Sequence, residues 1–321
     1  MNLHATALAG VPRSDETTPA FASDAIAGLM RQPKQLSPKY FYDAAGSELF
    51  EQITRLPEYY PTRTELGILR NRAAEIAAIL PKHAALVEFG AGAATKARLL
   101  LDACEFAAYV PVDISGEFLN AQARGLRKDF PHLQIYPVTA DFTTPFTLPD
   151  QIGAMPKVGF FPGSTLGNFE PHEASRFLRG ARQILGEGAH MLIGVDLEKN
   201  ERMLYNAYND AAGLTARFNL NVLARINREL GGNFDLAAFT HRAIYNRERH
   251  RIEMHLISNK PQTVRFQGRS FSFRSGESIH TESSYKYSLD RFIALAKGSG
   301  WVPTESWTDP NGMFSVHALM S

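Results

Sequence analysis

The sequence predicts an α/β protein built on a doubly wound, mainly parallel sheet, with a second α+β lobe added to it. Three observations carry this. Between about residues 62 and 196, short apolar runs of strand length alternate with amphipathic helical patterns, as in successive βαβ units. The first of those runs, LVEFGAGAATKAR from Leu86 to Arg98, reads as a buried strand, a glycine turn and the opening turn of a helix. After Asp196 the period changes, and two helical stretches are followed by five alternating segments, an inserted antiparallel region rather than a continuation of the first sheet.

Taken in order, residues 1 to about 22 are rich in Thr, Pro, Ser and Ala and read as a mobile tail, and DAIAGLMRQ then forms a short helix ending before Pro33. Residues 38 to 62, PKYFYDAAGSELFEQITRLPEYYPT, hold six aromatic residues, more than one small helix face needs. The hydroxyls in the pairs Tyr40/Tyr42 and Tyr59/Tyr60 want partners if buried, which turns some of them toward a site. Thr62 to Glu65 has capping-box spacing, and Leu66, Ile68, Leu69, Ala73, Ile76 and Leu80 continue it as one helix. A helix over Lys96–Ala103 follows the glycine turn. The second strand is Ala108–Asp113, where Pro111 cannot donate to a ladder and predicts a bulge or strand end nearby.

Ser115 caps the next helix, through Leu126, and Leu133–Val138 is the third strand. Val158–Phe161 is the fourth, broken by PGSTLGNFEP. A helix over 171–185 starts on Pro171 and stops at Gly186, and Ala189–Asp196 is the fifth strand. Helices over 200–213 and 215–230 lead into strands at 239–245, 251–258, 262–266, 269–273 and 278–285. A capped helix, Ser288–Lys297, and two strands around Ser306 and over Phe314–Met320 close the chain.

With 321 residues and 44% apolar content the chain can bury a sizeable core. Its 34 Lys+Arg against 33 Asp+Glu leave a net charge of +1, which gives no global field for nucleic acid or an anionic membrane. A small neutral or zwitterionic ligand is expected instead. Cys104 is the only cysteine, so neither an internal disulfide nor a cysteine-cluster metal site is available, and a cytoplasmic location is expected. The N-terminus has no signal-peptide pattern, and no run reaches about 18 apolar residues.

Gly90 and Gly92 allow a tight turn with room for a ligand, and two ligand classes use such a turn after the first strand: dinucleotides and S-adenosylmethionine. The dinucleotide fingerprint wants a third glycine where Thr95 stands. The stretch from Glu88 resembles instead the E/D-x-G-x-G of class I S-adenosylmethionine-dependent methyltransferases. Asp113, 21 residues past Gly92, can take both hydroxyls of a ribose, whichever cofactor carries it. Asp141 and Phe142 stand where such methyltransferases place an acid near the adenine amino group and a ring against the adenine face. Gly163, Gly167 and Asn168, at the carboxyl end of a central strand, lie beside the reactive end of the cofactor by the switch-point rule.

Several separated stretches together resemble one family, the histidine Nα-methyltransferases that make hercynine in ergothioneine biosynthesis. These are PKYFYDAAGSELFEQITRLPEYYPTRTE, EFGAGAATK, FFPGSTLGNFEP, YNDAAGLTARFNLNVLARINREL, RIEMHL and TESSYK. The resemblance implies a Rossmann-like class I methyltransferase core over residues 61–196 and 287–321. It implies a substrate lobe formed by the N-terminal segment, residues 1–60, and the insertion, 197–286. Cofactor contacts would fall on Tyr59, Gly90, Lys96, Asp113, Asp141 and Phe142. Asn168 and Tyr208 would hold the substrate carboxylate, with Gly163 lining the pocket. Tyr42 and Tyr59 would face the α-amino group as the catalytic pair, and Met254, Glu282 and Ser284 would surround the imidazole. Read singly, Met254 alternates in phase with Ile252 and Leu256 as strand core, Tyr208 suits helix packing with Leu204, and Lys96 is a first-turn surface lysine.

What the resemblance implies is trimethylation of L-histidine through its mono- and dimethyl intermediates, with no metal and no covalent nucleophile. Methyl transfer needs an aligned, deprotonated amine, and a dry pocket lined by tyrosine hydroxyls disfavours the ammonium. A relative acting on another aromatic amino acid, such as a tryptophan derivative, is the nearest alternative. Glu282 together with Ser284 argues against it, because an indole offers one donor and no acceptor. An NAD-dependent oxidoreductase and a cofactor-binding protein without turnover are further alternatives. Thr95 counts against the first, and the tyrosines with Asn168 against the second.

Overall fold

A computed structural model describes the backbone from Thr17 to Ser321, with the side chains of all these residues except 17, 18, 117 and 118. The described residues begin with α1 (Thr17–Met30), a short strand β1 (Lys34–Gln35) and α2 (Ala44–Ile53). Helix α1 starts earlier than the composition suggests, because Phe21, Ala25 and Leu29 repeat every fourth residue and are all buried, while Pro19 sits in the first turn, where a missing N–H is tolerated. Residues 1–16 of the expected tail lie outside the described residues.

The helix expected from Thr62 to Leu80 is two helices, α3 (Tyr60–Asn71) and α4 (Ala73–Ile79), broken at Arg72. Its capping box does not form. The helix starts at Tyr60 with Pro61 in its first turn, and Glu65 is fully buried and bonded to a distant loop.

The core then runs β2 (Ala85–Phe89), α5 (Thr95–Ala103), β3 (Ala108–Asp113), α6 (Gly116–Asp129), β4 (Gln134–Ile135), β5 (Val138–Thr139), β6 (Lys157–Phe161), α7 (Pro171–Leu185) and β7 (His190–Asp196). Pro111 lies within β3 with no shift against β2, so the expected irregularity is in the other neighbour. The carbonyls of Ala107, Tyr109 and Asp113 accept from Gln134, Tyr136 and Ala140, which shows that odd-numbered residues face that side. Pro111 is one of them and offers no donor there. The third strand is accordingly split into β4 and β5 instead of running unbroken from Leu133 to Val138. Ser115 holds the N-cap position of α6 without a side-chain cap bond, and its N–H donates instead to Asp113 at 2.9 Å.

The insertion supplies α8 (Glu201–Tyr208), α9 (Leu214–Leu230), β8 (Phe239–Asn246), β9 (Arg251–Ser258), β10 (Gln262–Phe266), β11 (Arg269–Phe273) and β12 (Ser278–Tyr285). Helix α8 stops short of the expected residue 213 because the Asp210 carboxylate accepts from the N–H groups of Leu214 and Thr215 and starts α9 afresh. The chain closes with α10 (Leu289–Gly298), β13 (Val302–Thr308) and β14 (Phe314–Met320).

The main sheet has the order β13-β14-β7-β6-β2-β3-β4, with β5 also paired to β3, and β14 alone runs against the others. This is the Rossmann-like core with a closing hairpin that the sequence predicts. Strand order reverses between β2 and β6, so the loops after these two strands, at Gly90 and Gly163, open into the switch-point crevice. Val87, Val110 and Ile193 pack against α7 and α10 on one face, and Leu86, Tyr109 and Leu192 against α4 and α5 on the other.

The second lobe is a four-stranded sheet, β1-β12-β9-β8, beside the hairpin β10–β11. Its core joins α1, α8 and α9 through Phe21, Leu29, Leu204, Val222 and Leu256. Among the described residues no helix is long and apolar enough to cross a membrane.

Candidate active site

One cavity of about 1540 Å³ runs between the two lobes and is lined by every residue to which the resemblance gives a role, whereas Gly167, expected beside the reactive end of the cofactor, packs against the Tyr285 backbone instead. A pocket for one small ligand measures roughly 300–1,000 Å³, so this space suits two ligands side by side.

At one end the chain turns after β2. Gly90 has φ +76°, and a Cβ there would lie 3.3 Å from the Phe142 ring, so both conformation and space call for glycine. Phe142 is held edge-on by Phe161 and Phe177. Asp113, at the carboxyl end of β3, accepts from the N–H groups of Ser115 and Gly92; burial raises its pKa against those bonds. Asp141 bonds both the N–H and the hydroxyl of Thr143 in a local turn and lies 3.8 Å from Lys39, so one of its oxygens is already used. Glu88, also at the cavity lining, accepts from the Tyr109 hydroxyl. Burial lifts its carboxyl to about 8, with Tyr109 and Lys96 opposing the rise.

In the middle, Gly163 has φ +82°, and its N–H donates to both oxygens of Glu65, at 3.0 and 2.9 Å. Glu65 also takes Lys96, at 2.5 Å. Lys96 is therefore no free surface lysine: one hydrogen is anchored on α3 and the ammonium sits over the Gly163 turn. Glu65 is the organising residue here, and its apparent capping role hid it. Asn168, in the 3₁₀ turn Thr165–Asn168, brings its amide to the cavity with no side-chain bond to another described residue.

At the far end the tyrosine pairs divide. Tyr40 donates to Asp24 and Tyr60 to Asp196, so these two are satisfied within the protein. Tyr42 and Tyr59 line the cavity with no protein partner for either hydroxyl among the described residues. Phe50 meets both rings edge-on, at 5.6 and 6.1 Å, and fixes their planes. Burial, with the Glu282 charge in support, holds both phenols well above the ordinary value, so they remain neutral O–H groups.

Strands β9 and β12 form the opposite wall. Their register slips between His280 and Glu282, a bulge at Thr281, after which Glu282 opposes Met254 and Ser284 opposes Ile252. Before the bulge, Ile279 opposes Leu256, so without the extra residue Thr281 and Ser283 would take this face. The bulge thus brings Met254, Glu282 and Ser284 to one side. Burial raises the Glu282 carboxyl to about 7, and the Lys286 ammonium pulls the other way. Tyr208 donates to Ser284 at 2.8 Å.

Beside this wall lies a buried charge cluster that the sequence analysis does not single out. Asp196, at the end of β7, pairs with Lys286 at 2.8 Å and Lys199 at 2.5 Å, and accepts from Tyr60. Burial would raise Asp196, yet the two ammonium groups outweigh it and hold the carboxyl below its usual range. Lys199 is lowered to about 8 by burial, partly offset by Asp196. A signal was present: Glu282, Ser284 and Lys286 recur at every second position, one face of a strand.

The chain is 42% identical over 319 residues to the histidine N-alpha-methyltransferase of Mycolicibacterium smegmatis, a match spanning 96% of this chain and 97% of that protein. It is 40% identical over 303 residues to the protein of that name from Mycobacterium tuberculosis, spanning 92% and 94%. Ergothioneine biosynthesis protein 1 of Neurospora crassa is 30% identical over 300 residues, which are 89% of this chain and 33% of the fungal protein. The turn at Gly90, the open glycine at Gly92 and the supported Asp113 carboxylate fit a nucleoside such as that of S-adenosylmethionine. Residues 21–321 match the family described as histidine-specific methyltransferase, SAM-dependent, and the chain belongs to that family.

Proposed function

We propose that the protein methylates the α-amino group of L-histidine three times, through the mono- and dimethyl amino acids, to the trimethyl betaine hercynine of ergothioneine biosynthesis. The observation that carries this is the single two-lobed cavity, with a nucleoside turn at one end and a donor–acceptor wall, Glu282 and Ser284, at the other. Incubating the purified protein with histidine and a labelled methyl donor is expected to give mass increments of one, two and three methyl groups. Unchanged histidine would refute the reading.

S-adenosylmethionine, when bound, supplies a methyl group on a sulfonium. Gly90, Asp113, Asp141, Phe142 and Lys96 are the residues that would hold it, with Tyr59 between the two ligands. The remaining work is alignment and proton control by the chain's own groups. The free amide of Asn168 can donate to the substrate carboxylate, and Tyr208 can do so by turning its hydrogen from Ser284. Tyr42 and Tyr59 face the amine as neutral phenols, able to accept from an N–H while their rings tolerate a growing methylammonium. The dry, aromatic surroundings favour the uncharged amine. Glu282 accepts one imidazole N–H, and Ser284 meets the other ring nitrogen.

Asp113→Ala removes the carboxylate that would take the ribose hydroxyls. It is expected to weaken S-adenosylmethionine binding by about 10- to 100-fold, measured by calorimetry, with little change in histidine affinity. An unaltered Kd would remove Asp113 from the cofactor site.

A further inference from the structure

The Lys286 ammonium is only 1% exposed and reaches the lining of the cavity beside Glu282 and Ser284. Its three hydrogens have three acceptors: Asp196 at 2.8 Å, Ser284 Oγ at 2.8 Å and the Tyr208 hydroxyl at 3.2 Å. An ammonium can only donate, so it fills a lone pair on each hydroxyl. Tyr208 places its own hydrogen on Ser284 Oγ, which fills the second lone pair of that oxygen. The Ser284 hydrogen is then the one polar capacity left on this side chain. Glu282, two residues away on the same face, has no protein hydrogen-bond partner among the described residues and presents an acceptor.

We infer that Lys286 is a positioning residue that turns the Ser284 and Tyr208 hydroxyls toward the substrate as donors, so that histidine is held as a neutral imidazole. The bare ring nitrogen faces Ser284 and the ring N–H faces Glu282. When a carboxylate takes the Tyr208 hydrogen, one lone pair of Ser284 Oγ is freed, and Lys286, still bonded to the other, makes that oxygen the weaker acceptor and the better donor. A second ring N–H, aimed at Ser284, would meet an oxygen backed by a buried cation. Asp196 keeps Lys286 in place, and Lys199 and Tyr60 complete the shell around that carboxylate. This assignment rests on histidine being the substrate.

The test uses the whole protein with S-adenosylhomocysteine and histidine labelled with ¹⁵N in the ring, at about pH 7.5, above the value of about 7 to which burial lifts Glu282, so that this carboxylate is ionised and free to accept. The bound ring is expected to show one protonated and one bare nitrogen. Two protonated nitrogens in the bound ring would overturn the Lys286 assignment alone. No bound histidine would overturn the substrate reading, and the assignment with it. In parallel, Lys286→Met leaves Asp196 paired with Lys199. It is expected to raise the KM for histidine by about 10- to 100-fold, to let the bound ring take its second proton, and to leave the Kd of S-adenosylhomocysteine within about twofold. A histidine KM and ring state like those of the parent protein, or an equal loss of cofactor affinity, would show that Lys286 is structural only. Should the variant not fold, the ring spectrum of the parent protein still decides whether the wall is polarised as stated.

Discussion

Glu282→Ala is expected to raise the KM for histidine by about 100-fold or more while the Kd of S-adenosylmethionine stays within about twofold. Its carboxylate is the free acceptor on the β12 face of the cavity, so the variant leaves an imidazole N–H buried without a partner, the situation that gives large discrimination. Equal losses in both constants would take Glu282 out of the imidazole site. The same group sets a pH dependence. Burial lifts it to about 7, so as pH falls through that value the acceptor becomes a protonated acid, and kcat/KM for histidine falls with it. The amine and the imidazole of the substrate also protonate on the acid side, so Glu282→Gln is expected to move the acid limb from about 7 down toward the imidazole value of about 6.5 rather than abolish it. A raised carboxyl contributes stability that is complete below its unfolded value and is lost as pH rises through the folded one. Glu282→Gln should therefore melt higher than the parent protein above pH 7, a cost the fold carries for its ligand.

Asp196→Ala is expected to cost about 3–5 kcal/mol in unfolding free energy, measured by denaturant titration. Asp196 is 1% exposed and is the shared partner of two buried lysines and of Tyr60, so the variant removes the one carboxylate in direct ion-pair contact with both ammonium groups. Its folded pKa is depressed, so this stabilisation is complete above the ordinary value of about 3.9 and is lost only as pH falls through the lower folded one. Asp196→Asn, which keeps the shape and the acceptor from Tyr60, should recover a part of the loss but not all of it. A change below about 1 kcal/mol in the alanine variant would mean that the cluster is solvated in solution.

What the sequence could and could not disclose follows from the range of the interactions involved. Strand and helix identities were legible because they depend on local period and on caps such as Pro171 and Gly186, and the glycine turn because Gly90 needs its φ for local reasons. The split of the tyrosine pairs was not. Whether Tyr40 or Tyr42 faces the cavity depends on Asp24 and on Phe50 and Phe218 of other helices, which no spacing within residues 38–62 encodes. Glu65 was misread because Thr62-x-x-Glu65 is a valid cap pattern, and only the distant Gly163 N–H and Lys96 reveal its use. The bulge at Thr281 is likewise a matter of pairing, since simple alternation along β12 would place Ile279 and Glu282 on opposite faces. Single residues such as Lys96 and Met254 looked ordinary until the fold set them around one space.

The insertion leaves the main sheet at Leu197 and returns at Tyr287, and these two residues are bridged, with Tyr287 N–H on Asp196 and Glu198 N–H on Tyr287. Entrance and exit are thus adjacent, the arrangement in which one polypeptide module is spliced into another with least disturbance to the host. Tyr208, Met254, Glu282 and Ser284 all belong to the guest module, whereas Gly90, Lys96, Asp113 and Phe142 belong to the host. A change confined to the guest would thus alter the β9–β12 wall of the cavity and leave the turn at Gly90 and the Asp113 carboxylate, which stand on the main sheet, where they are.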